Sequence, residues 1–162
     1  MISVIIPTFN EREVILKTIS NVHEALKSNT SYEILVVDDD SPDKTWKLVK
    51  DHAKKDSRLR VIRRTKDKGL SKSVVEGFSK AKGDYLLVID ADGQHDERII
   101  PKMLEKAKDA DLVVGSRFIK GGGVSGWSKK RLAISRFFST LSRPLLKAKL
   151  SDPMSGLFLV RK

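Results

Sequence analysis

Short apolar runs alternate with helical patterns from residue 2 to residue 114, and this alternation most restricts the fold that the chain can adopt. Five runs predict β-strands, several too uniformly apolar to have a wet face: Ile2–Ile6, Glu33–Val37, Arg60–Ile62, Tyr85–Ile89 and Asp111–Val114. Between them, apolar residues recur at helical spacing, as in Ile15, Ile19, Val22 and Leu26, or Ile100, Met103, Leu104 and Ala107. Repeated βα units predict an α/β fold, a mostly parallel sheet with helices on both faces, which binds ligands beyond the carboxyl ends of its strands.

After the fifth run the chain changes to a glycine-rich loop and a basic segment. The loop 121–126 has the G-x-G-x-x-G spacing of a dinucleotide site. We reject that interpretation because it requires an acid about twenty residues further on for the ribose, and the next acid is Asp152. We interpret the loop as a flexible segment over the active site. The basic segment, from about residue 128 to 149, predicts a helix that Pro144 breaks or kinks.

The net charge of +11 is concentrated in the last third of the chain. Residues 1–100 carry 18 Lys/Arg against 17 Asp/Glu, whereas residues 101–162 carry 14 against 4, and no acid occurs between Leu112 and Ser151. A solvated face mixes both signs, so this distribution favours an anionic partner. The chain has no cysteine and no apolar run long enough to span a membrane, and we expect one soluble, cytoplasmic domain.

Two carboxylates follow the fourth apolar run. Asp90 and Asp92 are two residues apart, so in extended chain they point to the same side. Adjacent anions repel unless a cation lies between them, and Mg²⁺ or Mn²⁺ binds one or two carboxylates together with phosphate oxygens and water. The pair, with Gln94, predicts a metal and diphosphate site; the alternative is a turn or helix cap. His95 is either a further ligand or a residue beside one.

Other polar residues follow the remaining strands and meet at the same edge of the predicted sheet. Asp39 follows the second strand and is a candidate to accept hydrogen bonds from a nucleobase or ribose, whereas Asp43 fits a turn before the next helix. Pro7, Phe9 and Glu11 follow the first strand and would line the same pocket, with Phe9 offering an apolar surface to the base.

A second group of residues predicts a phosphate site. Arg131 and Ser135 are one helical turn apart, and Arg117 follows the fifth strand. Guanidinium groups with a hydroxyl form a good phosphate site. The alternative is an amphipathic helix packed on the sheet, which accounts for most of the apolar residues of the segment, Leu132, Phe137, Phe138 and Leu141, but not for Arg117.

Six segments together resemble the family 2 glycosyltransferases, and among them the dolichyl-phosphate (polyprenyl-phosphate) mannosyltransferases: Val4–Glu11, Val36–Asp43, Gly69–Ser71, Asp90–His95, Gly115–Phe118 and Asp152–Gly156. The resemblance implies a GT-A (Rossmann-like) fold and transfer of mannose from GDP-mannose to the phosphate of a dolichyl or polyprenyl lipid, with inversion. Position by position, it implies that the nucleotide-sugar is bound by Pro7, Phe9, Glu11, Val37, Asp39, Asp90, Ala91 and Asp92. It assigns the metal to Asp90, Asp92 and Gln94, the acceptor phosphate to Arg117, Arg131 and Ser135, and catalysis to Asp90, Asp92 and Arg117.

Members of this family usually continue past the strand that follows Ser155-Gly156. We therefore expect residues 1–162 to form a single catalytic domain that is truncated at its C-terminus. We also expect this domain to work at the cytoplasmic face of an anionic membrane. One alternative is glucosyl or N-acetylglucosaminyl transfer from a UDP-sugar. A phosphatase of the haloacid dehalogenase type is disfavoured, because its Asp-x-Asp motif usually lies on the first strand. A basic nucleic-acid-binding module is a further alternative, against which the acidic loops count, and we expect no nucleic acid partner.

Overall fold

A six-stranded β-sheet forms the centre of the computed structural model, which describes residues 1–28, 31–123, 128–142, 146 and 150–162. The strands are β1 (Ile2–Thr8), β2 (Tyr32–Asp38), β3 (Leu59–Arg63), β4 (Tyr85–Val88), β5 (Leu112–Val114) and β6 (Phe158–Arg161). Their order is β3-β2-β1-β4-β6-β5. Strands β1 to β4 pair in parallel, and β6 lies antiparallel between β4 and β5.

Within the described residues the α-helices are α1 (Ile15–Ala25), α2 (Thr45–Ala53), α3 (Leu70–Lys80), α4 (Ile100–Lys106) and α5 (Lys129–Ser142). Successive residues of β1 face opposite sides, as the period of two requires. Val4 and Ile6 pack with the apolar residues of α1, α2 and α4, whereas Ile5 belongs to a second cluster that contacts α3. The predicted mostly parallel sheet with helices on both faces is therefore confirmed.

The predicted elements are present, with small shifts at their ends. Strand β1 continues to Thr8, and β5 begins one residue later than the predicted run. Pro101 lies in the first turn of α4, as its fixed φ and missing N–H favour. The predicted basic helix corresponds to α5, which ends at Ser142, while Pro144 lies outside the described residues. In the described part of the chain, no helix is both long and apolar enough to cross a membrane.

The position of β6 determines which loops meet. Phe158, its first residue, pairs with Val88 and with Val114, the last residues of β4 and β5. The segment 152–157, which leads into β6, therefore lies at the carboxyl edge of the parallel strands. This is the edge at which the predicted site residues follow β1, β2, β4 and β5.

Candidate active site

Asp90 and Asp92 lie at the carboxyl edge of the sheet, directly beyond β4. The side chain of Asp90 is 36% exposed, and its Oδ2 is 3.3 Å from Nε2 of His95. Asp92 is exposed, and its Oδ1 accepts a hydrogen bond of 3.0 Å from the backbone N–H of Gln94. His95 thus contacts the carboxylate of Asp90, and the backbone N–H of Gln94 contacts that of Asp92.

Glu11 adds a third carboxylate to this corner. Burial raises the pKa of Glu11 above its ordinary value, and the negative charges of Asp92, Asp43 and Asp90 raise it further. Such mutual repulsion is relieved by a cation. Among the residues that the structure describes, no three His, Cys, Asp or Glu side chains form a ready-made metal cluster. A pair of carboxylates with room for phosphate oxygens and water is nevertheless the set that Mg²⁺ or Mn²⁺ accepts, so Asp90 and Asp92 fit such an ion.

A cavity of about 700 Å³ joins the carboxylates to the predicted phosphate site. The predicted residues on its walls are Asp90, Asp92, Gln94, Arg117 and Arg131. Further cations line it at Lys102, Lys106 and Lys120, and apolar side chains line it at Ile99, Met103, Val113, Ile119, Met154 and Leu157. The cavity therefore combines paired carboxylates, several cations and an apolar wall.

Most residues predicted to hold the nucleoside lie at the carboxyl ends of β1 and β2, on the side of β4 away from β6 and β5. Phe9 is 55% exposed and is available for contact with a ring. Val37 pairs with Pro7 across the sheet, and its side chain is fully buried, as is that of Ala91, so a contact from Val37 or Ala91 would use the backbone. The carbonyl of Ala91 already accepts a hydrogen bond from Thr18 at 3.0 Å.

Asp39 is buried in a network with the loop after β3. Its carboxylate pairs with Arg64 and accepts hydrogen bonds from the hydroxyl of Ser73 at 2.8 Å and the N–H of Gly69 at 2.6 Å. Burial alone would raise the pKa of Asp39, but these donors outweigh it and hold the pKa below its usual value. Arg64, only 4% exposed, also donates to Glu76 at 2.8 Å. The sequence analysis missed Arg64, because nothing in its neighbourhood distinguishes it from the other basic residues after β3.

Asp38 and Asp43 stabilise the turn between β2 and α2 through hydrogen bonds. Asp38 is fully buried and accepts hydrogen bonds from Thr8 at 2.8 Å and from the hydroxyl of Ser41 at 2.7 Å. Asp43 accepts a hydrogen bond from the N–H of Thr45 at the start of α2, as its predicted turn role requires.

Arg117 is held by a buried acid from the segment before β6. Its Nε and Nη2 donate to the two oxygens of Asp152 at 2.7 and 2.8 Å, and the side chain of Asp152 is fully buried. Arg117 therefore has a structural partner that the sequence analysis did not assign, although Asp152 belongs to one of the segments that carried the family resemblance.

Helix α5 carries the remaining predicted phosphate ligands and an exposed apolar surface. Arg131 is exposed and lines the cavity; Ser135 is half-buried and is not among the cavity's lining residues. Packing on the sheet does not explain the apolar residues Phe137, Phe138 and Leu141, which are 64%, 52% and 56% exposed. That alternative is wrong for these three residues; among the described side chains of α5, only the small Ser139 is buried.

Solved structures with this architecture place the fold in the GT-A class. Mannosyl-3-phosphoglycerate synthase from Rubrobacter xylanophilus matches with a TM-score of 0.73 at 20% identity, covering 99% of this chain and 53% of that one. A mannosyltransferase from Pyrobaculum calidifontis, solved in complex with GDP-Man and Mn²⁺, matches with a TM-score of 0.64 at 24% identity over 72% of this chain and 35% of its own.

The family model for glycosyl transferase family 2 matches residues 3–162, and the chain belongs to this family. Dolichol-phosphate mannosyltransferase from Pyrococcus furiosus is 46% identical over 99% of this chain and 46% of its own length. The enzyme of the same name from Saccharomyces cerevisiae is 36% identical over 99% of this chain and 60% of its own length. The chain thus spans about half of the length of these relatives.

Proposed function

We propose that this chain is the catalytic part of a metal-dependent, inverting glycosyltransferase that moves mannose from GDP-mannose to the phosphate of a dolichyl or other polyprenyl phosphate. The observation that carries the proposal is the single cavity lined by Asp90 and Asp92 as well as by Arg117 and Arg131. Relatives whose names state this activity, and a fold neighbour with GDP-Man and Mn²⁺ bound, support it.

On the donor side, the carboxylates of Asp90 and Asp92 would hold the ion, with Gln94 beside them. A bound Mg²⁺ or Mn²⁺ would neutralise charge on the diphosphate of the donor and so make it a better leaving group. Phe9 offers its exposed ring to the base, Asp39 accepts a hydrogen bond from the base, and Glu11 lines the pocket from the segment after β1. The nucleoside and the diphosphate of the donor are then both bound by loops at the carboxyl edge of the sheet.

On the acceptor side, the phosphate is the nucleophile. A phosphate monoester is largely ionised at neutral pH, so its attack requires orientation more than a strong general base. One of its oxygens forms a bond to C1 of mannose from the face opposite the diphosphate, the bond from C1 to the diphosphate oxygen breaks, and GDP leaves with that electron pair. Arg117, Arg131 and Ser135 orient the acceptor and screen the repulsion between the two phosphate groups.

One observation favours a UDP-sugar as a second candidate donor. A carboxylate offers about four lone-pair sites, and Asp39 already accepts from Arg64, Ser73 and Gly69. The remaining lone-pair site of Asp39 can accept one further N–H. Uracil has a single ring N–H, whereas guanine presents two adjacent N–H donors, so this site matches uracil better.

We place the enzyme at the cytoplasmic face of an anionic membrane, where its lipid acceptor resides. Helix α5 supports this proposal, because it presents Phe137, Phe138 and Leu141 to solvent within a stretch that contains no acid from Leu112 to Ser151. Apolar side chains beside cations are typical of helices that lie in a membrane interface.

A two-part experiment tests the proposal. GDP-mannose should raise the melting temperature only in the presence of Mg²⁺ or Mn²⁺, and Asp92→Ala should abolish this shift. Asp84→Ala, which removes an exposed carboxylate just before the same strand, is the matched control and should keep it. GDP-mannose, UDP-glucose and UDP-N-acetylglucosamine are then offered with polyprenyl phosphate or with the unphosphorylated polyprenol. We expect transfer only from GDP-mannose and only to the phosphate. The proposal would be contradicted by a metal-independent shift in both the wild type and Asp92→Ala, or by transfer to the free alcohol.

A further inference from the structure

The segment that precedes β6 contacts both ends of the cavity. Gly156 lies against the carboxylate of Asp90, and the hydroxyl of Ser155 donates to the carbonyl of Gly115 at 2.7 Å, two residues before Arg117. Four residues before Gly156, Asp152 is fully buried. This segment therefore connects the carboxylate corner with the loop that carries Arg117.

The carboxylate of Asp152 is saturated by donors from two other elements. Oδ2 accepts from the backbone N–H of Arg117 at 3.1 Å and from its Nε at 2.7 Å. Oδ1 accepts from Nη2 of Arg117 at 2.8 Å and from the hydroxyl of Ser139 at 3.2 Å. Four hydrogen bonds fill the approximately four lone-pair sites that a carboxylate offers. All lone-pair sites of the Asp152 carboxylate are thus occupied, and the donors come from the loop after β5 and from α5.

Burial and charge favour the ionised form of the Asp152–Arg117 pair. Burial alone would raise the pKa of Asp152, but the hydrogen bonds from Arg117 and Ser139 hold it below the usual value, and the same pairing raises the pKa of Arg117. Two parallel hydrogen bonds fix the plane of a guanidinium group, which a single contact would leave free to turn. The pair therefore determines where the other donors of Arg117 point.

We infer that Asp152 is a positioning residue, which fixes the guanidinium plane of Arg117 and, through Ser139, anchors α5 at the cavity. The inference rests on the proposed function, because it concerns the acceptor phosphate that Arg117 and the α5 residue Arg131 bind there. Asp152 itself contacts no substrate. Loss of its carboxylate affects binding and orientation of the acceptor, whereas the donor site at Asp90 and Asp92 keeps its ligands.

The first measurement requires no substrate. Asp152→Asn replaces an oxygen acceptor by an amide that faces Arg117 donors, and the Nε–H of Arg117, followed by ¹H–¹⁵N NMR, should exchange with solvent at least about tenfold faster than in the wild type. Glu33→Gln is the matched control, because it alters a buried carboxylate paired with Arg60 at the opposite edge of the sheet. An unchanged Arg117 signal in Asp152→Asn would overturn the inference, whether or not the chain transfers mannose.

The second measurement separates positioning from a purely structural role. In the transfer assay, Asp152→Asn should raise the KM for polyprenyl phosphate by roughly 10- to 100-fold, the size expected when a hydrogen bond between charged groups is lost. The KM for the donor should stay unchanged. In an Arg117→Met background, Asp152→Asn should cause no further rise, because its effect acts through Arg117. Equal rises in both KM values, or the same profile in Glu33→Gln, would show a structural role only. A wild type that transfers to no polyprenyl phosphate would refute the proposed function and leave the NMR result to decide on Asp152.

Discussion

Gly156 offers the sharpest test of the carboxylate corner, because a side chain added there would overlap the present position of the Asp90 carboxylate. A Cβ added at Gly156 would lie 2.7 Å from the carboxyl carbon of Asp90, and closer still to its Oδ2. Carbon atoms normally pack at about 3.5–4.0 Å. In Gly156→Ala, the carboxylate of Asp90 must therefore move away by about 1 Å.

This movement should cost little stability, because the obstructing atoms are the end of a partly exposed side chain that can rotate. Gly156 also does not have the left-handed backbone that excludes alanine. We expect the free energy of unfolding to change by less than about 1 kcal/mol, since replacing glycine at a compatible position offsets part of any strain. The effect on function should be much larger: a displacement of about 1 Å at a reacting centre lowers the rate by roughly 100-fold.

The assay compares two melting temperatures for each variant, with Mn²⁺ alone and with Mn²⁺ plus GDP-mannose, and adds the transfer rate. Gly156→Ala should melt close to the wild type in the absence of ligand and lose the ligand-induced shift. Gly123→Ala is a control for the ligand-induced shift, because it adds the same methyl group at the border of the cavity, where no atom of the described residues lies within 4 Å. A wild-type shift in Gly156→Ala would refute the assignment of Asp90 as a ligand in this position.

Two further predictions concern charge. Burial and the charges of Asp92, Asp43 and Asp90 raise the pKa of Glu11 above its ordinary value. The folded protein therefore favours protonated Glu11. This contribution to stability is fully present below the pKa of the unfolded chain, about 4.5, and is lost as the pH rises through the folded-state pKa. Metal-free Glu11→Gln should therefore melt above the wild type at pH 7 and equal to it near pH 4, and equal melting at pH 7 would contradict the repulsion. Helix α5 should bind vesicles that contain phosphatidylserine, and Arg136→Gln should weaken this binding by roughly fivefold, or ~1 kcal/mol. Lys54→Gln, which removes an exposed cation just after the end of α2, should not weaken it. Equal binding to neutral vesicles would count against the surface.

The strands and most helices were predictable because their signals are local. Short uniform runs of β-branched residues such as Val4, Ile5 and Ile6 favour a strand covered on both sides, whereas a surface helix repeats its apolar residues every three or four positions. The edge at which the site residues lie follows from the same pattern, since parallel strands place their carboxyl ends together. The ends of elements shift by a residue or two, because hydrogen bonds at the termini depend on neighbouring loops.

The partners of the site residues were not predictable, because they come from distant parts of the chain. Asp39 and Arg64 are 25 residues apart, and Arg117 and Asp152 are 35 apart. Periodicity shows which face a residue occupies, but it does not show which charge from another element meets it. For the same reason, the apolar residues of α5 fitted packing against the sheet, whereas the structure leaves Phe137 exposed.

The antiparallel direction of β6 explains how one segment serves both halves of the site. A parallel strand in this position would enter the sheet from the opposite edge, and the residues before it would lie far from Asp90 and Arg117. Because β6 enters at the carboxyl edge between β4 and β5, the segment 152–157 passes between the loops that follow these strands. Gly156 then limits the position of Asp90, and Asp152 that of Arg117. The residues proposed to bind the donor and those proposed to bind the acceptor thus contact one backbone segment. We therefore expect Gly156→Ala to act on the donor side and Asp152→Asn on the acceptor side, although the two residues are only four positions apart.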